Sequence, residues 1–118
     1  MGQFQTKRIY DPPEAGDGFR ILVDRLWPRG MTHEVAQVDL WLKAVAPTPE
    51  LRTWWDHDPA RLSEFARRYR AELDDNPSVV ELREAGRAHA HVTLLYAAHD
   101  PEVNHATVLL SYLRDPAE

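Results

Sequence analysis

Val92-Thr93-Leu94-Leu95-Tyr96-Ala97-Ala98 is a nearly unbroken apolar run. A strand sends alternate side chains to opposite faces, so it is apolar throughout only where both faces are covered. The run therefore predicts the central strand of a layered sheet. A second run, Phe19-Arg20-Ile21-Leu22-Val23, is short, largely apolar and stops at Asp24, as a buried strand does. Helical periods lie between and after these strands. Leu62, Phe65, Ala66, Tyr69 and Leu73 recur at three- and four-residue intervals, predicting an amphipathic helix over Pro59 to Leu73. Its wet side holds Arg61, Glu64, Arg67, Arg68 and Glu72. Buried strands alternating with helices predict an α/β fold: a single compact domain over residues 1–118, with a mostly parallel sheet and helices packed on it.

The remaining elements follow from local signals. Phe4 to Tyr10 alternates weakly, as an edge strand would, and Asp11 to Gly18 collects loop-forming residues into a turn or mobile surface loop. Thr32 is placed to cap a helical turn over His33 to Gln37, and Leu40 to Val45 reads most simply as a second internal strand, with a helix the alternative. Thr48-Pro49-Glu50 signals a short helix to Trp55 through a cap, a first-turn proline and a first-turn acid. Pro77 opens a helix that runs out at Gly86; Pro101 opens another, capped by Asp100, that turns Ala106, Leu109, Leu110 and Leu113 inward and ends before Pro116.

Composition bounds the function. The chain has 118 residues, the size of one domain, and a domain of this size buries about 65% of its unfolded surface. Its 14 Lys and Arg against 19 Asp and Glu leave a net charge of -5, which disfavours a nucleic-acid partner. Zero Cys excludes disulfides and thiol nucleophiles and fits a reducing compartment. No apolar stretch is long enough to span a membrane, and Met1 to Arg8 lacks the apolar core of a leader, so a cytoplasmic location is expected.

In open α/β sheets ligands gather beyond the carboxyl ends of the strands. Two segments fall there. Asp24-Arg25-Leu26-Trp27-Pro28-Arg29-Gly30 follows the first internal strand, and His99-Asp100-Pro101-Glu102-Val103-Asn104-His105 follows the central one. If the strands are neighbours, the segments converge. Arg25 and Arg29 then offer guanidinium forks to a phosphate or carboxylate, and Trp27 offers a stacking face. His105 is the candidate general acid or base, with Asp24 orienting it or a water. The bland alternative is an internal Asp–Arg latch with Trp27 in the core. A metal-assisted version would draw on Asp24, Asp100 and His105, but no zinc spacing occurs, so metal and cofactor stay unassigned. His57-Asp58-Pro59 reads as a cap before a helix, with His57 stacked on Trp54 or Trp55. His33, His89 and His91 read as surface residues.

These residues carry a resemblance. Tyr10-Asp11-Pro12-Pro13, Val23-Asp24-Arg25-Leu26-Trp27-Pro28-Arg29-Gly30, Leu40-Trp41-Leu42-Lys43, His57-Asp58-Pro59, Phe65 to Leu73 and Leu94 through His105 resemble, in order, the YeaO-like branch of the domain-of-unknown-function family numbered 488. The resemblance implies no assigned activity. It also implies that longer relatives place a Cys where this chain has Tyr96 and another before the His of the motif; neither is present, which removes thiol and Cys-ligated metal chemistry. Three functions follow: a small enzyme acting on a phosphorylated or carboxylated metabolite, a non-catalytic ligand-binding or regulatory module using the same anion-binding cleft, and, least favoured, a nucleic-acid-linked protein.

Overall fold

Strands β1 (Gln3–Arg8), β2 (Phe19–Leu22), β3 (Leu40–Trp41) and β4 (His91–Tyr96) form one parallel sheet in the order β1-β4-β2-β3. The structure, a computed structural model, describes residues 3–115; the Met1-Gly2 start and Pro116 lie outside them. β4 is central and β1 is an edge, as the sequence predicts. β2 and β4 are direct neighbours in the register Ile21 beside Leu94 and Leu22 beside Leu95. Strand alternation divides these residues between two faces. Ile21, Val23, Val92, Leu94 and Tyr96 enter the larger core, whereas Leu22, Leu95 and Ile9 join Ala36 in a smaller one edged by Trp27 and Trp41.

The helices are α1 (His33–Ala36), α2 (Pro49–Trp55), α3 (Leu62–Asp74), α4 (Val79–Ala88) and α5 (His105–Arg114). Thr32 and Thr48 accept from Val35 N and Leu51 N, satisfying orphan donors of α1 and α2 as their positions predict. Asp58 does the same for the 3-10 turn Pro59–Arg61 that leads into α3. On α3, Phe65, Tyr69 and Leu73 are buried, and Trp55 stacks on Phe65 with centroids 3.8 Å apart.

Four expectations need correction. Leu40 to Val45 is not an internal strand: only Leu40–Trp41 pairs, at the sheet edge, and Lys43–Val45 is a 3-10 turn. Leu42 and Val45 both enter the larger core, and a spacing of three suits a 3-10 turn, whereas a strand would send them to opposite faces. Gly86 does not end α4. It is buried inside the helix, where an added Cβ would lie 2.7 Å from the Phe4 ring, so glycine here permits close helix-on-sheet approach. α5 starts at His105, not Pro101, because Asn104 Oδ1 caps it by accepting from Thr107 N; Asp100 instead closes the preceding bend by accepting from Glu102 N and Val103 N. Finally, the Asp11 to Gly18 loop contains the 3-10 turn Ala15–Asp17, whose Asp17 is buried rather than at the surface.

Candidate functional site

Because β2 and β4 are neighbours, the chain leaves both carboxyl ends side by side. Val23 N donates to Leu95 O, and one residue later the Asp24 carboxylate crosses between the strands, its Oδ2 accepting from Ala97 N at 3.0 Å. The Asp24 carbonyl accepts from Trp41 Nε1 at 2.8 Å, which ties the edge strand to the same corner. His105, the first residue of α5, brings its ring to this point. Its Nε2 lies 3.0 Å from Val23 O and 3.2 Å from Asp24 Oδ1. A carbonyl only accepts, so Nε2 carries the ring proton and donates to Val23 O. Nδ1 is thereby left as the lone-pair nitrogen.

Asp24 Oδ1 is buried and makes no hydrogen bond, although the imidazole stands beside it. The two side chains are 12% and 17% exposed, so the pair is partly screened from water without being sealed. Protonation of Nδ1 would create an imidazolium directly against a carboxylate held in place by a backbone amide. That arrangement can take up a proton or present an N–H to an anion.

Tyr69 stands edge-on to the His105 ring, with centroids 6.3 Å apart, and its hydroxyl donates to Val45 O at 2.6 Å. Burial pushes the Tyr69 phenol well above its ordinary value; Glu72 and Asp24 add to the shift and Arg25 opposes it. Glu72, expected on the wet side of α3, accepts from Thr48 N and Thr48 Oγ1. Tyr69 therefore packs against the His105 ring, while Glu72 ties α3 to the Thr48 cap of α2.

Of the residues expected to line the cleft, Asp24 and His105 are brought together. Arg25 is turned inward, its Nη2 donating to Ala46 O and Pro47 O at 3.2 Å each, with Nε buried and unpartnered. Trp27 is half-buried: its Nε1 donates to Met31 O, His33 stacks on it at 3.9 Å, and Trp41 meets it edge-on. Arg29 is exposed, with its carbonyl accepting from Tyr10 Oη at 2.9 Å. His99 and Asp100 are exposed, and hydrogen bonds from Glu102 and Val103 N–H hold the Asp100 carboxyl below its ordinary value. Among the described residues no group of three or more His, Cys, Asp or Glu is arranged to hold a metal ion, so Asp24, Asp100 and His105 do not form a ligand set.

His57 tilts over Trp55 at 4.9 Å. The Arg67 and Arg68 guanidiniums pair with Glu64 and hold its carboxyl down to about 2, while Arg70 pairs with Asp115; this is a solvated helix face. One residue at the carboxyl ends escapes sequence reasoning. Arg8, the last residue of β1, donates from Nε to Ala98 O at 2.9 Å. Its only signal was its place at the end of an edge strand.

The comparisons agree with one another. The family model described as "Inactive DUF488-N3 subclade" matches residues 3–118. An uncharacterized protein of Mycobacterium tuberculosis is 43% identical over 110 residues, covering 92% of each chain. The uncharacterized protein YeaO of Escherichia coli is 40% identical over 110 residues, covering 93% of this chain and 96% of its own. No solved structure matches.

Proposed function

The chain belongs to the domain-of-unknown-function family 488, and from that premise we propose that it is a non-catalytic binding module whose cleft at the carboxyl ends of β2 and β4 takes a small anion. The Asp24–His105 pair carries this reading. A histidine fixed through Nε2 leaves Nδ1 with no hydrogen-bond partner among the described residues, and the Asp24 carboxylate stands beside the same ring. Arg29, exposed in the loop after β2, is the cation this reading assigns to the ligand. Arg25, engaged with two carbonyls, shapes the wall near Tyr69, whereas Trp27 packs against His33 and Trp41 by the smaller core.

The description of the subclade as inactive supports binding over turnover. Ligands of the right chemistry are phosphorylated or carboxylated metabolites. A net charge of -5 weighs against nucleic acid, and the lack of Cys favours the cytoplasm. A second reading, a small enzyme using His105 as acid or base with Asp24 orienting it, draws on the same fixed tautomer.

The test is a thermal-shift screen of chelator-treated protein against phosphate, sugar phosphates, nucleotides, small carboxylates and divalent metals. A ligand at about a hundredfold its Kd adds roughly 2.7 kcal/mol, a clear rise in Tm for a domain of this size. A selective shift lost in Arg29→Ala or His105→Ala, with no chemical change in the ligand, supports the module. Turnover of that ligand would establish the enzyme instead. No shift from any anion overturns both readings.

A further inference from the structure

Twelve of the 14 basic residues are arginines, and most of those whose guanidinium has an acidic partner lie on α3 or beside it. The other seven arginines have no acidic partner among the described residues, and three of them stand at or just beyond the carboxyl ends of the strands. Arg8, Arg25 and Arg29 have no ion-pair partner among the described residues, in a molecule whose net charge is -5. Arg25 spends its guanidinium on carbonyls. Arg8 does not.

Arg8 is held at two points and free at a third. Its Nε donates to Ala98 O, just past the end of β4, and its guanidinium carbon stands 5.1 Å from the centre of the Tyr10 ring. Tyr10 is itself pinned, because its hydroxyl donates to the Arg29 carbonyl. The two terminal nitrogens of Arg8 make no hydrogen bond among the described residues, and the side chain is only partly buried. A guanidinium fixed by its Nε and by a ring face has already lost much of its rotamer freedom, so its free edge binds at lower entropic cost than a mobile side chain would. Ala98 follows Ala97, whose N–H holds Asp24, so Arg8 borders the corner occupied by Asp24 and His105.

We propose that Arg8 is an anion-binding residue of this cleft and that, with Arg29, whose carbonyl holds the Tyr10 hydroxyl, it selects a dianionic oxyanion, a phosphate monoester or a dicarboxylate, over a monoanion. Two unpaired guanidiniums match two negative charges, and the Arg8 fork accommodates two oxygens of one group. This rests on the anion-binding reading above and names its ligand class.

The experiment is calorimetric titration of the full chain with inorganic phosphate, succinate and acetate at low ionic strength. Wild type is expected to bind phosphate or succinate, whichever matches the spacing, and acetate at least about tenfold more weakly. Arg8→Gln should weaken the dianion by about tenfold or more, and Arg8→Lys, which keeps the charge but not the fork, should recover only part of that. Tm in the absence of ligand should hold in both variants, since Arg8 sits at the rim. If wild type binds a dianion that His105→Ala abolishes but Arg8→Gln leaves unchanged, Arg8 has no part and this inference fails alone. If wild type binds acetate as well as succinate, the dianion selection fails. If it binds none of the three, the anion-binding reading falls with it.

Discussion

Two aspartates flank β2 at equal distances, Asp17 before Phe19 and Asp24 after Leu22, and the fold treats them oppositely. Asp17 is closed. Lys7 Nζ reaches both its oxygens at 3.1 Å, Arg20 Nη1 lies 2.5 Å from Oδ2, and Glu14 N donates to the same oxygen at 3.0 Å. Arg20 in turn donates to Gln37 O and Ala36 O, and Thr93 donates to Asp17 O, so every charge has its partners. Asp24 is open: one oxygen is bound by a backbone amide, and the other faces an imidazole without a hydrogen bond. One end of the strand uses a carboxylate to finish the protein's own structure. At the other end, where ligands collect in parallel sheets, the carboxylate's bonding is left incomplete.

The largest effect expected from breaking this contrast is at the closed end. Arg20→Leu leaves Asp17 buried with Lys7 as its one remaining cation, and removing one partner of a buried pair costs about 3–5 kcal/mol. Urea unfolding measures it. A loss under about 1 kcal/mol would mean that Asp17 relaxes to solvent and that the two ends are alike.

The closed end also sets a pH signature. Burial pushes the Asp17 carboxyl up, but the Glu14 amide, Lys7 and Arg20 outweigh it and hold the group below its ordinary 3.8. A carboxyl with a lowered folded-state pKa contributes stability that is complete above the unfolded value and lost as pH falls through the folded one. Lys7 is the converse: burial lowers it, Glu14 and Asp17 outweigh that and raise it above 10.5, so its share is complete below 10.5 and lost as pH climbs further. Stability should therefore fall below about pH 4, and Asp17→Asn should flatten that fall. Glu64, held to about 2 by Arg67 and Arg68, adds an acid limb of its own, but it is exposed, so high salt should erase its share and spare that of Asp17. An acid limb that vanishes entirely in salt would count against the buried network.

How far sequence reached follows the same division. The β2 and β4 runs, the α3 period and the Thr32 and Thr48 caps were legible because each is a local rule that packing left intact. The Asp24–His105 meeting was legible only as a conditional, since it needed β2 and β4 to be adjacent. Leu40 to Val45 misled because apolar content fits a strand and a 3-10 turn equally. Pro101 misled because a proline after Asp starts a bend as readily as a helix, and the buried Asn104 four residues after Asp100 was the better cap. The closed end did leave a trace. Arg20 interrupts an otherwise apolar strand, and a charge there requires a partner, which Asp17 three residues earlier supplies.

At the open end the effects should shrink. Asp24→Leu removes the acceptor of Ala97 N–H at a half-buried site and is expected to cost about 1–3 kcal/mol. It should also free the His105 ring, so the preference for the Nε2–H tautomer, read from ring nitrogen shifts, should weaken. An unchanged tautomer would show that Val23 O alone fixes the ring.

The smallest effect, and the one that separates the two aspartates most sharply, is His105→Ala. Its ring lies at the rim of the larger core rather than inside it, and the bond it gives up is to a carbonyl, a group that water reaching the 12%-exposed site can satisfy. The loss should stay near or below about 1 kcal/mol, against 3–5 for Arg20→Leu, although both side chains serve an aspartate beside the same strand. A loss above about 2 kcal/mol would place His105 among the buried, hydrogen-bonded groups that complete the fold. Asp24 would then be a second Asp17, with an imidazole in place of the guanidinium. A small loss accompanied by lost anion binding would mean that the two ends of β2 differ in purpose as well as in geometry.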